Sequence, residues 1–597
     1  MTDTYRSDIR DGMIIEWDVA IPMDDGQVLR ADVFRPEGPG THPVLLSHGP
    51  YAKGAPFQIG YAGTWNRLAQ DYPEATMSST NKYQNFEVVD PETWVPLGYA
   101  CIRVDSRGSG RSPGHLNPLS PRETSDFRSC IEWAGTQSWS NGKVGLTGIS
   151  YYAQNQWQVA ATQPPHLAAM CIWEGSSDWY REVARHGGIM SGFGARWYES
   201  IIAPVQYGRG ARGWYNPITG QPASGDITLA DEELAASRVD YAEQIRSQVL
   251  DDDHNERYVD LDKVTVPLLS AANWGGQGLH LRGNVEGFLH ATSTQKWLEV
   301  HGREHWADFY TDYGVELQRR FFDHFLLGVD NGWDVEPPLM LNIRHVDGTF
   351  TARTEEAWPL PRTQWTTLYL NGKSLSSDPA AAKTSASFDA GTGNLTFTTE
   401  PLAETTEITG PLAARLFVSS STTDADLFLV VRAFSPDGEE VTFQGALDPH
   451  SAVTKGWLRA SHRKLDADRS TQYRPYHTHD EIQPLTPETV YQLDIEIWPA
   501  SVVLPPGYRL ALTVQGRDWR HPNAVNAGRL LNFDIALRGS GPFQHDDPTD
   551  RPTDIFRGRS TIHAGGDTAS WLQLPVVTPK PQEALSDGKR AHAGGRL

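Results

Sequence analysis

The sequence predicts an α/β domain carrying an inserted cap, followed by an all-β domain. Three observations predict it. Short apolar runs alternate with helix-length segments up to about residue 345, the pattern of a mostly parallel sheet. One of those runs, Lys143-Val144-Gly145-Leu146-Thr147-Gly148-Ile149-Ser150-Tyr151-Tyr152, carries a serine on a sharp strand-to-helix turn. Past residue 345 the texture changes to short alternating strands between Gly, Pro, Asp and Ser clusters, without long helical patterns.

In chain order, residues 12–36 form strands about a turn at Asp24-Asp25-Gly26. Pro43-Val44-Leu45-Leu46-Ser47 is a continuous apolar strand, as in a sheet covered on both faces, and runs into His48-Gly49-Pro50-Tyr51. A polar segment to about residue 90 reads as a long loop with a helical turn. Tyr99-Ala100-Cys101-Ile102-Arg103-Val104 is the next buried strand. The glycine-rich stretch from Asp105 to Ser112 lacks the Gly-Lys-Ser/Thr ending of a phosphate loop and the spacing of a dinucleotide fingerprint, so it reads as a structural loop. Residues 123–136 are an amphipathic helix with Phe127, Ile131 and Trp133 on its apolar side.

After the serine turn, Pro164-Pro165 stops the helix, and Leu167-Ala168-Ala169-Met170-Cys171-Ile172-Trp173 forms another buried strand ending at Glu174-Gly175. Residues 179–256, rich in Trp, Tyr, Arg and Gly and helical around 229–249, read as the cap. Strands at 266–274 and 297–300 and a helix over 309–327 complete the domain. The expected organisation is an α/β-hydrolase domain at 1–178 and 257–345, a helical cap at 179–256, a jelly-roll β-sandwich at 346–577 and a loosely held tail at 578–597.

A serine on such a turn is pushed out of the sheet, and the next backbone N–H points the same way. That is the nucleophile elbow of an α/β-hydrolase. The first turn of the following helix adds dipoles that stabilise an oxyanion.

Bulk properties bound the alternatives. The chain has 597 residues, enough for two or three domains, and a net charge of −22, which repels nucleic acid and anionic membrane. Its start, Met1-Thr2-Asp3-Thr4-Tyr5-Arg6, lacks the apolar core of a signal peptide, and no stretch has membrane-spanning length. Cys101, Cys130 and Cys171 lie in apolar stretches, without a C-x-x-C, so they read as core residues of a reducing, cytoplasmic protein. No cofactor or metal is expected. A homo-oligomer is allowed and not required.

The chain resembles the cocaine esterase and Xaa-Pro dipeptidyl-peptidase group of serine hydrolases, which includes α-amino-acid ester hydrolases. The resemblance covers nearly the whole chain. Its marks are Pro50-Tyr51-Ala52-Lys53; Asp105-Ser106-Arg107-Gly108 with Gly110 and Ser112; Gly148-Ile149-Ser150-Tyr151; Asp178-Trp179-Tyr180; residues 322–328; Gly456-Trp457-Leu458-Arg459-Ala460-Ser461; and Leu504-Pro505-Pro506-Gly507-Tyr508-Arg509-Leu510. It implies Ser150 as nucleophile, His305 as general base, and the Tyr51 hydroxyl with the Tyr151 N–H as oxyanion donors. It also implies an active site between hydrolase domain, cap and β-domain.

Two positions depart from the family. Ala153 stands where glycine is usual. The family acid follows the strand ending at Trp274, and here the matching residue is Gly276. Glu174, at the end of the neighbouring strand, is therefore the expected acid, with Asp178 as second candidate. Other readings are weaker. His301-Gly302-Arg303-Glu304-His305 matches an inverted zinc-peptidase pattern, but it leaves an apolar strand and contains a glycine. His477-Thr478-His479-Asp480-Glu481 reads as a polar loop; His280 follows the strand ending at Trp274, where it can approach the pocket, and reads first as a helix-start or core histidine. A non-catalytic hydrolase-like binding protein rests only on the lost acid at Gly276. The expected substrate is a small-molecule carboxylic ester with an apolar or aromatic acyl part, suggested by Trp179, Trp197, Tyr198, Trp214 and Tyr215. Amides, of the Xaa-Pro dipeptidyl-peptidase or acylase type, are the alternative. The resemblance implies that members recognising a free α-ammonium group carry carboxylates just beyond the acid, and the matching stretch here, Gln277-Gly278-Leu279, has none.

Overall fold

Continuous apolar runs become strands covered on both faces. The computed structural model describes residues 6–578 apart from residue 524. The first domain contains β1 (Arg6–Arg10), β2 (Met13–Pro22), β3 (Val28–Pro36), β4 (His42–Gly49), β5 (Ala100–Asp105), α1 (Pro121–Gly135), β6 (Ser140–Ile149), α2 (Tyr151–Ala160), β7 (Leu167–Trp173), β8 (Leu268–Asn273), α3 (Leu281–His290), β9 (Lys296–His301), α4 (Asp312–Phe322), β10 (Leu339–Arg344) and β11 (Phe350–Glu355). These strands form one eleven-stranded sheet in the order β1-β2-β3-β5-β4-β6-β7-β8-β9-β10-β11. From β5 to β10 all neighbours are parallel. Parallel strands align their carboxyl ends, and that edge collects the chemistry.

Two boundaries differ from expectation. β11 pairs antiparallel with β10, so the first sheet extends to Glu355, past residue 345. β11 is a half-exposed edge strand rich in Thr, Arg and Glu, and its texture resembles the β-domain that follows. Within the cap, the helix expected at 229–249 is replaced by short helices at Asp231–Ala236 and Tyr241–Gln244. Between them the chain pairs with the loop after β5: Leu116 N–H donates to Ser237 O at 2.9 Å and Val239 N–H to Leu116 O at 3.0 Å. Tertiary pairing overrides helix propensity there.

The second domain is all-β: β12 (Thr363–Asn371), β13 (Ser374–Ser376), β14 (Asn394–Thr398), β15 (Thr406–Ser420), β16 (Asp426–Phe434), β17 (Thr454–Arg459), β18 (Tyr491–Leu504), β19 (Arg509–Gln515) and β20 (Trp571–Val577). They run β15-β18-β17-β16-β19-β14-β13-β12-β20, and β20 pairs back onto β15, so the sheet closes on itself. Of the expected tail at 578–597, all but residue 578 lies outside the described residues, as do the first five residues of the chain. No described helix is long and apolar enough to cross a membrane.

A single apolar cluster spans both domains and the cap. It joins Tyr51, Tyr151 and Leu279 of the hydrolase domain, Phe193 and Trp197 of the cap, and Ala446, Leu447, Phe533 and Phe543 of the β-domain.

Candidate active site

Ser150 links β6 to α2 with φ 61° and ψ −113°, a conformation that costs about 1–3 kcal/mol and persists only where its surroundings enforce it. Gly148 makes the turn possible: it sits at φ 150°, and a Cβ there would lie 2.4 Å from the Tyr152 Cβ. The turn is tied down on both sides. Ser150 N–H donates to Trp173 O at 3.1 Å, and Ile149 N–H donates to Glu87 O at 3.0 Å. Ser150 remains half-buried, while Tyr151 and Tyr152 beside it are buried. Ala153 is accommodated because glycine faces it: a Cβ on Gly175 would come within 2.6 Å of the Ala153 Cβ.

The Tyr151 N–H belongs to the first turn of α2, where backbone donors have no intrahelical acceptor. The Tyr151 side chain points elsewhere and donates its hydroxyl to Glu123 Oε2 at 2.5 Å. Tyr51 packs edge-on against Tyr151 and Tyr152. Its hydroxyl accepts the Trp197 indole N–H at 3.1 Å, which leaves its own proton available. Burial, then the nearby Glu87 charge, push that hydroxyl well above its ordinary pKa, so it is a neutral donor.

The glycine-rich loop after β5 supports Tyr51. Asp105 Oδ1 accepts the Lys53 N–H at 2.6 Å, and Ser109 Oγ donates to Pro50 O at 2.7 Å. The Lys53 ammonium binds Asp18 and Asp32 at 2.6 and 2.9 Å.

Glu174 stands at the end of β7 and is fully buried. Its Oε2 is 2.7 Å from His305 Nδ1. Its Oε1 meets His301 Nε2 at 3.0 Å and accepts the Asn273 amide at 3.1 Å. Asn273 also donates to Arg303 O at 2.7 Å, which fixes the loop bearing His305. His301 Nδ1 lies 2.8 Å from Glu299, so its imidazole sits between two carboxylates. Burial opposes ionisation of Glu174, but the charge of His305 and hydrogen bonds from both histidines outweigh it and hold its pKa well below the usual carboxylate range.

His305 Nε2 faces a second carboxylate, Glu87 Oε1, at 3.5 Å. Glu87 is buried, adopts φ 61°, and accepts the Trp306 indole N–H at 3.1 Å. Burial lowers the His305 pKa, but Glu174 and Glu87 reverse this and push it up to about 9. Burial raises the pKa of Glu87 itself, against the pull of His305.

The imidazole bonded to Ser150 is that of His280: its Nε2 is 3.1 Å from Ser150 Oγ. The His280 and His305 rings lie nearly parallel, 5.5 Å apart. Thus the structure brings Glu174 to His305, and Ser150 to His280. It forms no hydrogen bond between Ser150 and His305.

In the sequence His280 reads first as a helix-start or core residue, with an approach to the pocket as the alternative, and Glu87 belongs to no motif. The signal for Glu87 was a carboxylate inside the apolar run Phe86-Glu87-Val88-Val89. For His280 it was a histidine just beyond the carboxyl end of β8. Asp178 forms no hydrogen bond or ion pair with either imidazole; it caps the turn after it through Arg181 N–H at 3.0 Å and pairs with the Arg181 guanidinium at 2.7 Å. Gly276 lies in a tight turn, with its N–H donating to Asn273 O at 2.8 Å. Among the cap aromatics, Trp197 stacks on Tyr151, Trp179 and Tyr198 pack on Tyr241, Trp214 approaches Tyr61, and Tyr215 is exposed. No group of three or more His, Cys, Asp or Glu is arranged to hold a metal ion among the described residues.

An α/β sheet with a serine elbow and a buried histidine–carboxylate pair at its carboxyl edge defines a serine hydrolase. Residues 25–307 match the model of the X-Pro dipeptidyl-peptidase S15 family, and residues 331–573 match the X-Pro dipeptidyl-peptidase C-terminal non-catalytic domain. A CocE/NonD family hydrolase from Staphylococcus aureus is 32% identical, covers 95% of this chain and 94% of its own, and superposes with a TM-score of 0.81. Cocaine esterase from a Rhodococcus species is 24% identical over 94% of this chain and 98% of its own. An α-amino acid ester hydrolase shares the fold at a TM-score of 0.64 and 17% identity, covering 95% of this chain and 97% of its own. The chain belongs to this family of serine hydrolases, which contains cocaine esterase, the CocE/NonD hydrolases and the Xaa-Pro dipeptidyl-peptidases.

Proposed function

We propose that the protein is an esterase working through an acyl-enzyme on Ser150, with His305 as general base and Glu174 as its acid. The observation that carries this is the 2.7 Å contact between Glu174 Oε2 and His305 Nδ1, which keeps the Nδ1 proton in place, so that the neutral ring, once Nε2 has lost its proton, is the tautomer with its lone pair on Nε2. For attack, Nε2 turns from Glu87 to Ser150 and takes the hydroxyl proton as Oγ bonds the carbonyl carbon. The oxyanion meets the Tyr51 hydroxyl and the Tyr151 N–H. His305 then gives its proton to the departing alkoxide, and water repeats the sequence to release the acid.

An ester is preferred because Gly278 and Leu279 supply no anion for an α-ammonium group, and because Leu279, Trp197, Phe193 and Phe543 make the surroundings apolar and aromatic. The S15 family model favours amides as the second reading. A small-molecule substrate and a cytoplasmic location complete the proposal, the latter supported by three buried free cysteines. We also keep the jelly-roll reading of the closed β-domain sheet. The test is a screen of activated esters against aminoacyl-prolyl amides, with mass spectrometry for the Ser150 adduct. A higher kcat/KM on the amides overturns the ester assignment, and absence of an adduct overturns the mechanism.

A further inference from the structure

We propose that His280 is a catalytic hydrogen-bond donor to Ser150 Oγ, acting with its tautomer fixed by the Ser176 backbone. This rests on the serine mechanism proposed above.

His280 Nδ1 accepts the Ser176 N–H at 3.2 Å. A ring nitrogen that accepts carries no proton, so the proton of a neutral imidazole lies on Nε2. Nε2 is 3.1 Å from Ser150 Oγ, and the N–H there donates to the nucleophile. A base needs a lone pair facing the serine, and His280 has none in this arrangement. Burial first, then the charge of His305, hold the His280 imidazolium well below its ordinary pKa and keep the ring neutral. The start of α3, where His280 sits, disfavours a cation as well.

The donor is held rigidly. Gly175 N–H donates to Asn284 Oδ1 at 3.0 Å, and the Asn284 amide donates to Ile172 O at 3.1 Å. Arg282 binds Glu182 and Glu496, each at 2.8 Å, and Glu182 accepts the Ser177 N–H at 2.8 Å. The first turns of α3 are thereby tied to the loop carrying Glu174 and Ser176, which keeps the Ser176 N–H opposite His280 Nδ1. The bond engages an Oγ lone pair and leaves the hydroxyl proton for His305.

Its chemical effect falls on the bond to Oγ. In acylation the Oγ–H bond breaks, the proton passes to His305 Nε2, the Oγ–C bond forms and the carbonyl electron pair moves to oxygen. In deacylation water gives a proton to His305 and attacks. The C–Oγ bond then breaks with its electron pair on Oγ, and His305 returns the proton there. His280 keeps its own proton throughout. Its N–H stabilises the negative charge that gathers on Oγ, most directly when Oγ is the leaving group.

The test uses the full chain and a p-nitrophenyl ester, comparing H280A, H280Q and H305A by burst kinetics and intact-mass spectrometry. H280A should lower kcat by about 10- to 100-fold, the effect of a lost hydrogen bond to a charged atom, while the acyl-enzyme accumulates on Ser150. H280Q retains an N–H donor and should recover part of the rate, which a purely structural role would not give. H305A should lose about 10⁴-fold, without accumulation. Normal turnover in H280A without a trapped intermediate overturns this proposal and leaves the His305 mechanism standing. A dead H280A beside an active H305A makes His280 the base and overturns both.

Discussion

Glu174 holds His305 with one carboxylate oxygen and His301 with the other, at 2.7 and 3.0 Å. This carboxylate thus stands between two buried imidazoles, on a strand end adjacent to the one that leads to Gly276. β7 and β8 are hydrogen-bonded neighbours, so a carboxylate on either can reach the same loop. His301 and Asn273 complete the coordination of Glu174, and against the cost of burial the charge of His305 and hydrogen bonds from both histidines keep it ionised.

Replacing Glu174 by glutamine should lower kcat by about 10⁴-fold, because an amide can stabilise the wrong His305 tautomer without changing shape. Asp178→Asn should do much less, since Asp178 serves a turn and Arg181. Steady-state kinetics on both variants check this. Comparable losses would reassign the acid.

The Tyr51 hydroxyl accepts from Trp197 and has its proton free. Tyr51→Phe should reduce kcat by about 10²- to 10³-fold, with little change in KM, as for one lost oxyanion donor. Trp197→Phe leaves the Tyr51 donor in place and should cost less. A near-normal kcat in Tyr51→Phe would place the oxyanion elsewhere.

Much of this was legible in the sequence. Apolar runs such as Leu167–Trp173 give their strands directly, because a doubly covered strand excludes polar residues. The elbow was legible because its glycines and serine answer a steric demand. Other features depend on contacts distant in sequence. His280 meets Ser150 across 130 residues, and Glu87 meets His305 across 218, so no local pattern records either pairing. The β11 boundary was misplaced because an edge strand of a hydrolase sheet and a strand of a β-domain share the same half-exposed alternation.

The pH profile separates the two imidazoles. His305 is raised to about 9 by Glu174 and Glu87, and its base form grows as pH rises. kcat/KM should therefore climb with pH through about 9. Glu87→Gln removes one carboxylate that stabilises the imidazolium, so the same limb should move to lower pH. The sign for stability is the reverse: a raised histidine pKa contributes stability that is fully present below about pH 6.5 and lost as pH rises through about 9. If His280, whose pKa is driven down, were the base, the profile would be flat from about pH 6 to 9.

The β-domain reaches the loop that bears His305 through Ala446. Its carbonyl accepts the His305 N–H at 3.0 Å, and its own N–H donates to Gly275 O at 3.0 Å. Gly275 permits this approach: a Cβ there would lie 2.6 Å from Gly445 Cα and 2.7 Å from Ala446 N. Those are backbone atoms and cannot swing aside, so Gly275→Ala must push the β-domain loop away and carry His305 with it. Such overpacking costs about 1–3 kcal/mol of stability. A displacement of about 1 Å at the base costs on the order of 10²-fold in rate. Gly276→Ala should be milder, because its nearest clash is with Asn273 O at 3.1 Å and involves no β-domain atom. Thermal melts and kcat/KM on the two variants test this. Equal behaviour of both, or wild-type rates in Gly275→Ala, would mean that the β-domain does not position the base.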